Sequence, residues 1–165
     1  MKKTILFFLL FSIGISYSYS QDLPNLKHVK LNKRSNYKGT DALVLKVTAY
    51  LFATPIDKKN VSRTEAGQFL IKWMNGTPDH TFLLEDKETE FFNTDSDLML
   101  MYMAGFTKFV LENPTIKEQK VLVLGALQLV LPYLDKQASK KTWSAILWQL
   151  NDANKKGQLE EYLYK

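Results

Sequence analysis

The stretch DSDLMLMYMAGFTKFVLENPTIKEQKVLVLGALQLVLPYL, Asp95 to Leu134, decides the fold. From Leu98 to Phe106 it carries no charged side chain, and from Val121 to Leu134 only Gln128 interrupts an apolar run. Runs of this kind, with no polar face, predict helices buried on most sides. Asp95 or Ser96 is placed to cap the first. Asn113-Pro114 stops it, and Thr115-Ile116-Lys117-Glu118 has the form of a capping box opening the second. Pro132 should stop or kink the second run near its end. Neither run reaches the roughly 20 apolar residues that span a bilayer. Together they read as a buried hairpin at the centre of an all-α bundle.

Working outward, Leu43, Val47, Tyr50, Leu51 and Thr54 share one face of a helix from Asp41 to Thr54 that Pro55 ends. Ser62-Arg63-Thr64-Glu65 is a second capping box, followed by an apolar stripe of Ala66, Phe69, Leu70, Trp73 and Met74. Gly76 stands where a left-handed cap is expected, before Thr77-Pro78. A helix from Lys141 to Asn154 buries Trp143, Ile146, Leu147 and Leu150, and Lys155-Lys156-Gly157 closes it. Gln158 to Tyr164 adds a short turn through Leu159, Tyr162 and Leu163. The expectation is a single all-α domain over residues 41–165, a bundle of about five helices. Residues 79–95 read as irregular: His80 to Leu84 as a short strand or extended loop, Glu85 to Glu90 as an acidic turn.

The N-terminus reads as an export signal. Lys2 and Lys3 precede an apolar run from Ile5 to Ile15, and Ser18-Tyr19-Ser20 offers a cleavage site before Gln21. The expectation is a cleaved signal peptide over residues 1–20 and a periplasmic or secreted protein. Residues 21–40 then form a basic flexible arm, with Lys27, His28, Lys30, Lys33, Arg34 and Lys38 against Asp22. It reads as a solvated tail that could touch anionic lipid or glycan.

The chain has 22 basic and 17 acidic side chains, a net charge of +5 that falls to +3 without Lys2 and Lys3. That balance does not argue for a nucleic-acid partner. Residues 79–97 hold seven acids against Lys87, a local charge of −6. With no cysteine, the chain has no disulfide, no thiol chemistry, no thiolate metal site and no lipoprotein anchor.

Chemistry-bearing constellations are sparse. The two histidines, His28 and His80, lie in the arm and in a loop, and no nucleophile elbow accompanies them. Asn93-Thr94-Asp95-Ser96-Asp97 opens like a calcium loop, but Leu98 replaces the required glycine and Ala104 the closing glutamate, so helix capping accounts for these acids. Met99, Met101 and Met103 alternate; on a helix Met101 points about 160° away from the other two, which argues for core rather than a copper site. There is no phosphate loop and no zinc signature. No catalytic, cofactor-binding or metal residue is assigned. Trp148 lies off the face set by Trp143, Ile146 and Leu147, and Leu45 and Phe52 lie off the main face of their helix; they face a second core layer or an exposed docking patch.

Three stretches in order, Thr54-Pro55-Ile56-Asp57, then Phe69-Leu70-Ile71-Lys72-Trp73-Met74-Asn75-Gly76-Thr77-Pro78-Asp79, then Leu100-Met101-Tyr102-Met103-Ala104-Gly105-Phe106-Thr107-Lys108, resemble a family of uncharacterised exported proteins of Bacteroidota. The resemblance implies a Gram-negative envelope or secreted location and brings no activity with it. More loosely, the layout is similar to small helical periplasmic proteins of the acid-chaperone and immunity-protein type, which usually hold a disulfide that this chain lacks. The function expected is that of a non-enzymatic envelope protein binding a partner protein or an apolar ligand. The alternative is a small periplasmic hydrolase using carboxylates of the 79–97 loop.

Overall fold

The structure is a computed structural model that describes residues 22–137 and 139–165. The expected signal peptide and its cleavage site lie outside the described residues. Among the described residues the fold is all-helical, with seven α-helices and no strand. They are α1 (Asp41–Ala53), α2 (Val61–Gly76), α3 (Asp86–Thr89), α4 (Ser96–Glu112), α5 (Gln119–Asp135), α6 (Ala145–Lys155) and α7 (Leu159–Tyr164); a 3-10 turn at Arg34–Asn36 precedes them. No helix among the described residues is long and apolar enough to cross a membrane.

The predicted hairpin is α4 and α5. They pack antiparallel at close range: a Cβ on Gly105 would stand 2.3 Å from the Val130 methyl, and one on Gly125 would stand 2.2 Å from the Phe109 ring. Each glycine admits a bulky side chain of the facing helix. Helix α4 is the more central of the two, because α1 and α2 also pack on it while α6 covers α5. Met101, Tyr102, Ala104 and Phe106 are accordingly sealed from solvent.

Helix α5 runs through Pro132 to Asp135 rather than stopping there. Proline withholds its amide from the carbonyl of Gln128, but both residues are exposed, so water can satisfy that carbonyl.

Neither capping box forms as expected. Asn60, not Ser62, caps α2, its side chain accepting from the Arg63 amide at 3.0 Å. The shift places Arg63 on the inner face. Thr115 lies in a turn closed by the Ile116 amide on the Asn113 carbonyl (3.0 Å), and α5 begins only after Glu118. That turn reverses the chain for the hairpin. Ser144 caps α6 by accepting from the Leu147 amide at 3.2 Å, so Trp143 packs just ahead of the helix. Gly76 stays helical, whereas Gly157 takes the left-handed cap with φ +69°.

The segment from Asp22 to Thr40 departs furthest from expectation. A solvated tail would bury nothing, yet Leu26, Leu31 and Tyr37 are each at most 7% exposed and join the core. The Tyr37 hydroxyl donates to the Leu31 carbonyl at 3.2 Å and lies over Gly76, where a Cβ would approach it to 1.9 Å. The segment is a strap across the bundle, apolar side inward. In the acidic stretch, residues 80–84 are an extended loop and α3 replaces the expected turn.

Candidate binding cleft

Four segments distant in sequence meet around one concavity of about 400 Å³. Pro55, Ile56 and Lys58 come from the α1–α2 turn, Asp95, Asp97 and Leu98 from the start of α4, Leu134 and Gln137 from the end of α5, and Lys141, Thr142 and Trp143 from the segment before α6. The lining is apolar at Ile56, Leu98, Leu134 and Trp143, with charges at the rim. Cavities of this size, apolar with a few placed polar groups, are the usual form of small-ligand sites.

The walls are held by the protein's own hydrogen bonds. Proline at 55 ends α1 and leaves the Thr54 carbonyl free of the helix; the Tyr133 hydroxyl donates to it at 2.7 Å and Arg63 at 3.1 Å. The Ile56 amide donates to the Gln137 side chain at 3.0 Å. Across the cleft, the Thr94 hydroxyl donates to the Thr142 carbonyl at 2.8 Å. Lys58 stands 3.4 Å from Asp95 and 4.0 Å from Asp97, while Asp95 also caps α4 by accepting from the Asp97 amide at 2.8 Å. Lys141 forms no ion pair among the described residues.

Trp143 continues outward to Trp148, the rings 4.7 Å apart at 54°, with Lys140 over both at 5.5 and 5.9 Å. Trp148 remains 46% exposed. Lys140 is held by the Asp135 carbonyl (2.7 Å), and Lys155 by the Asp135 carboxylate (2.9 Å). Hydrogen bonding from Lys155 keeps the Asp135 carboxyl below its ordinary range, with lesser help from Asn151 and Lys140. Of the other off-face side chains, Phe52 meets Tyr133 edge-on at 5.3 Å and Leu45 is half-buried. Trp148 alone of the three presents a large free surface.

The other sequence-selected residues do not converge here. His80 Nε2 lies 3.0 Å from the Asp41 carboxylate, and its ring packs 5.6 Å from Trp73 beside Phe82. Met101 faces Arg63, whose guanidinium lies 2.9 Å from its sulfur, while Met99 and Met103 are half-buried elsewhere on the helix. No group of three metal-ligating side chains occurs among the described residues. Within the acidic stretch only Asp95 and Asp97 line the cleft. None of its carboxylates pairs with the basic strap among the described residues.

Two buried charged side chains were invisible in the sequence. Arg63 is 2% exposed and has no carboxylate partner among the described residues. It donates to the Leu51 carbonyl at 2.8 Å and to Thr54, the negative end of α1, and its Nε is unpaired. Glu88 is 3% exposed, and one of its oxygens and the Tyr102 hydroxyl both lack partners. Burial, then the charge of Glu85, raises the Glu88 carboxyl above its ordinary value. Burial, then Glu88, pushes the Tyr102 phenol up. Neither Glu88 nor Tyr102 lines the cleft.

Comparison with known protein families, with curated proteins and with solved structures finds no match.

Proposed function

We propose that this chain is a non-enzymatic exported envelope protein that binds an apolar ligand, or an apolar side chain of a partner protein, in the cleft floored by Ile56, Leu98, Leu134 and Trp143. The observation that carries the reading is an apolar concavity whose walls are tied by hydrogen bonds within the protein, so that little ordering is left to the moment of binding. The exposed Trp148 beside it extends the apolar contact available to a partner. Export to the periplasm or beyond is part of the proposal; it rests on the N-terminal pattern of Lys2, Lys3 and the run from Ile5 to Ile15, and on the resemblance to exported Bacteroidota proteins.

The hydrolase alternative would use Asp95 and Asp97, which do line the cleft. Their contacts are those of a helix cap and a shared ion pair with Lys58.

The test pairs the native protein with Leu98→Trp, which fills the cleft. Tryptophan fluorescence titrated with an alkyl and aryl amphiphile series should shift for the native protein and not for the variant. Affinity capture from envelope extract should lose partners with the same variant. Identical titrations and captures for both proteins would overturn the reading, and ester or glycoside turnover abolished by Asp97→Asn would select the hydrolase.

A further inference from the structure

The strap of residues 22–40 is packed on the core and presents its cations outward. Leu26, Leu31 and Tyr37 face the core, while Lys27, Lys30, Lys33, Arg34 and Lys38 are exposed. None of these five forms an ion pair among the described residues, whereas Lys120, Lys155 and Lys156 each lie within 3 Å of a carboxylate. Lys72 joins them: it is exposed, unpaired among the described residues, and one helical turn before Gly76, on which Tyr37 rests. Glu112, paired with Lys108, lines a hollow with Asp22, Leu23 and Pro24 at the start of the strap, away from Lys33 and Arg34 in sequence. Asp22 opens the strap, Asp79 follows Pro78, and Asp41 is engaged by His80 at 3.0 Å.

Between Lys33 and Arg34 on one side and Gly76 and Pro78 on the other lies an open hollow of about 460 Å³, with Asn32 at its edge. An arginine fork beside a lysine suits a phosphate group. From this arrangement we infer that the strap is a docking surface for an anionic phospholipid bilayer, with Lys33 and Arg34 receiving a headgroup phosphate in the hollow.

One observation favours a bilayer over a soluble polyanion. The cations are spread from Lys27 to Lys38 along a segment of successive turns packed against the domain, which matches a broad charged plane better than a single ligand. None of the large exposed apolar side chains lies on the strap, so attachment is electrostatic and reversible rather than by insertion.

The experiment uses the chain as secreted by an expressing bacterium, its N-terminus read by mass spectrometry. Co-sedimentation is measured with phosphatidylcholine vesicles and with vesicles of phosphatidylcholine and phosphatidylglycerol in equal parts. The protein should bind the mixed vesicles only, and added salt should weaken binding. Lys33→Gln with Arg34→Gln should weaken it roughly twentyfold, about fivefold for each cation lost near the surface. A charge-matched control, Lys59→Gln with Lys117→Gln, should change it much less. Circular dichroism checks that both variants are folded, which their exposed positions favour. Binding to neutral vesicles, no binding to mixed ones, or equal loss in the control would overturn the inference. So would retention on sulfated dextran by a protein that ignores the mixed vesicles, an outcome that would select a glycan partner.

Discussion

Arg63 and Glu88 are opposite charges buried without each other. An isolated buried charge is costly unless its hydrogen bonds are met. Arg63 meets most of that demand with the carbonyl end of α1, donating to Leu51 and Thr54 and leaving its Nε without a partner among the described residues. Glu88 meets less of it: one of its oxygens, like the Tyr102 hydroxyl, is buried without a partner among the described residues. The consequence is a proton linkage. The folded state holds the Glu88 proton more tightly than the unfolded chain, whose carboxyl titrates near the ordinary 4.5. Stability from this site is therefore complete in acid and is lost as pH rises through 4.5 toward the higher folded value. Glu88→Gln, which removes the buried charge, should raise the thermal midpoint at pH 7. The gain should vanish below about pH 4, where native Glu88 is already neutral. Thermal melts of both proteins across this range check it; an equal difference at all pH values would mean that packing rather than ionisation is at work.

At the scale of elements, the α4–α5 hairpin depends on close approach. Substituting Gly105 by Ala adds a methyl 2.3 Å from Val130 and 3.1 Å from the Ala126 carbonyl, whose backbone cannot turn away. The gain in helix propensity is about 1 kcal/mol, and overpacking a core costs typically 1–3 kcal/mol. The expected result is net destabilisation of about 1 kcal/mol in chemical denaturation. Helix bodies were legible because apolar residues recur at helical spacing in α1, α2 and α6 and fill α4 and α5. Helix starts were less so. Asn60 and Ser62 are both competent caps, and what selects Asn60 is the inward turn of Arg63 toward the end of α1, a partner 12 residues away.

At the scale of the molecule, the strap changes both shape and charge. Leu26, Leu31 and Tyr37 follow neither a helical nor a strand period, so periodicity alone reads the segment as a tail. Their burial fixes a row of cations on the bundle surface. Leu31→Ala discriminates the two readings: a tail residue would be neutral, whereas a buried leucine should cost about 2–5 kcal/mol. Denaturant titration measures the difference. The cleft is also a property of the whole. Ile56, Leu98, Leu134 and Trp143 come from four segments, and no local pattern joins them.

Local signals alone specify an all-α, cysteine-free domain with a buried hairpin between Asp95 and Leu134. Helical periodicity, prolines and the absence of charge over Leu98 to Phe106 are local signals, and they specify helices without reference to the rest of the chain. Only the tertiary structure decided which cap residues are used, where Arg63 and Glu88 are buried, how the strap lies and which side chains line the cleft. Those outcomes depend on contacts between residues far apart in sequence, where a buried polar group takes whichever partner the packing brings to it.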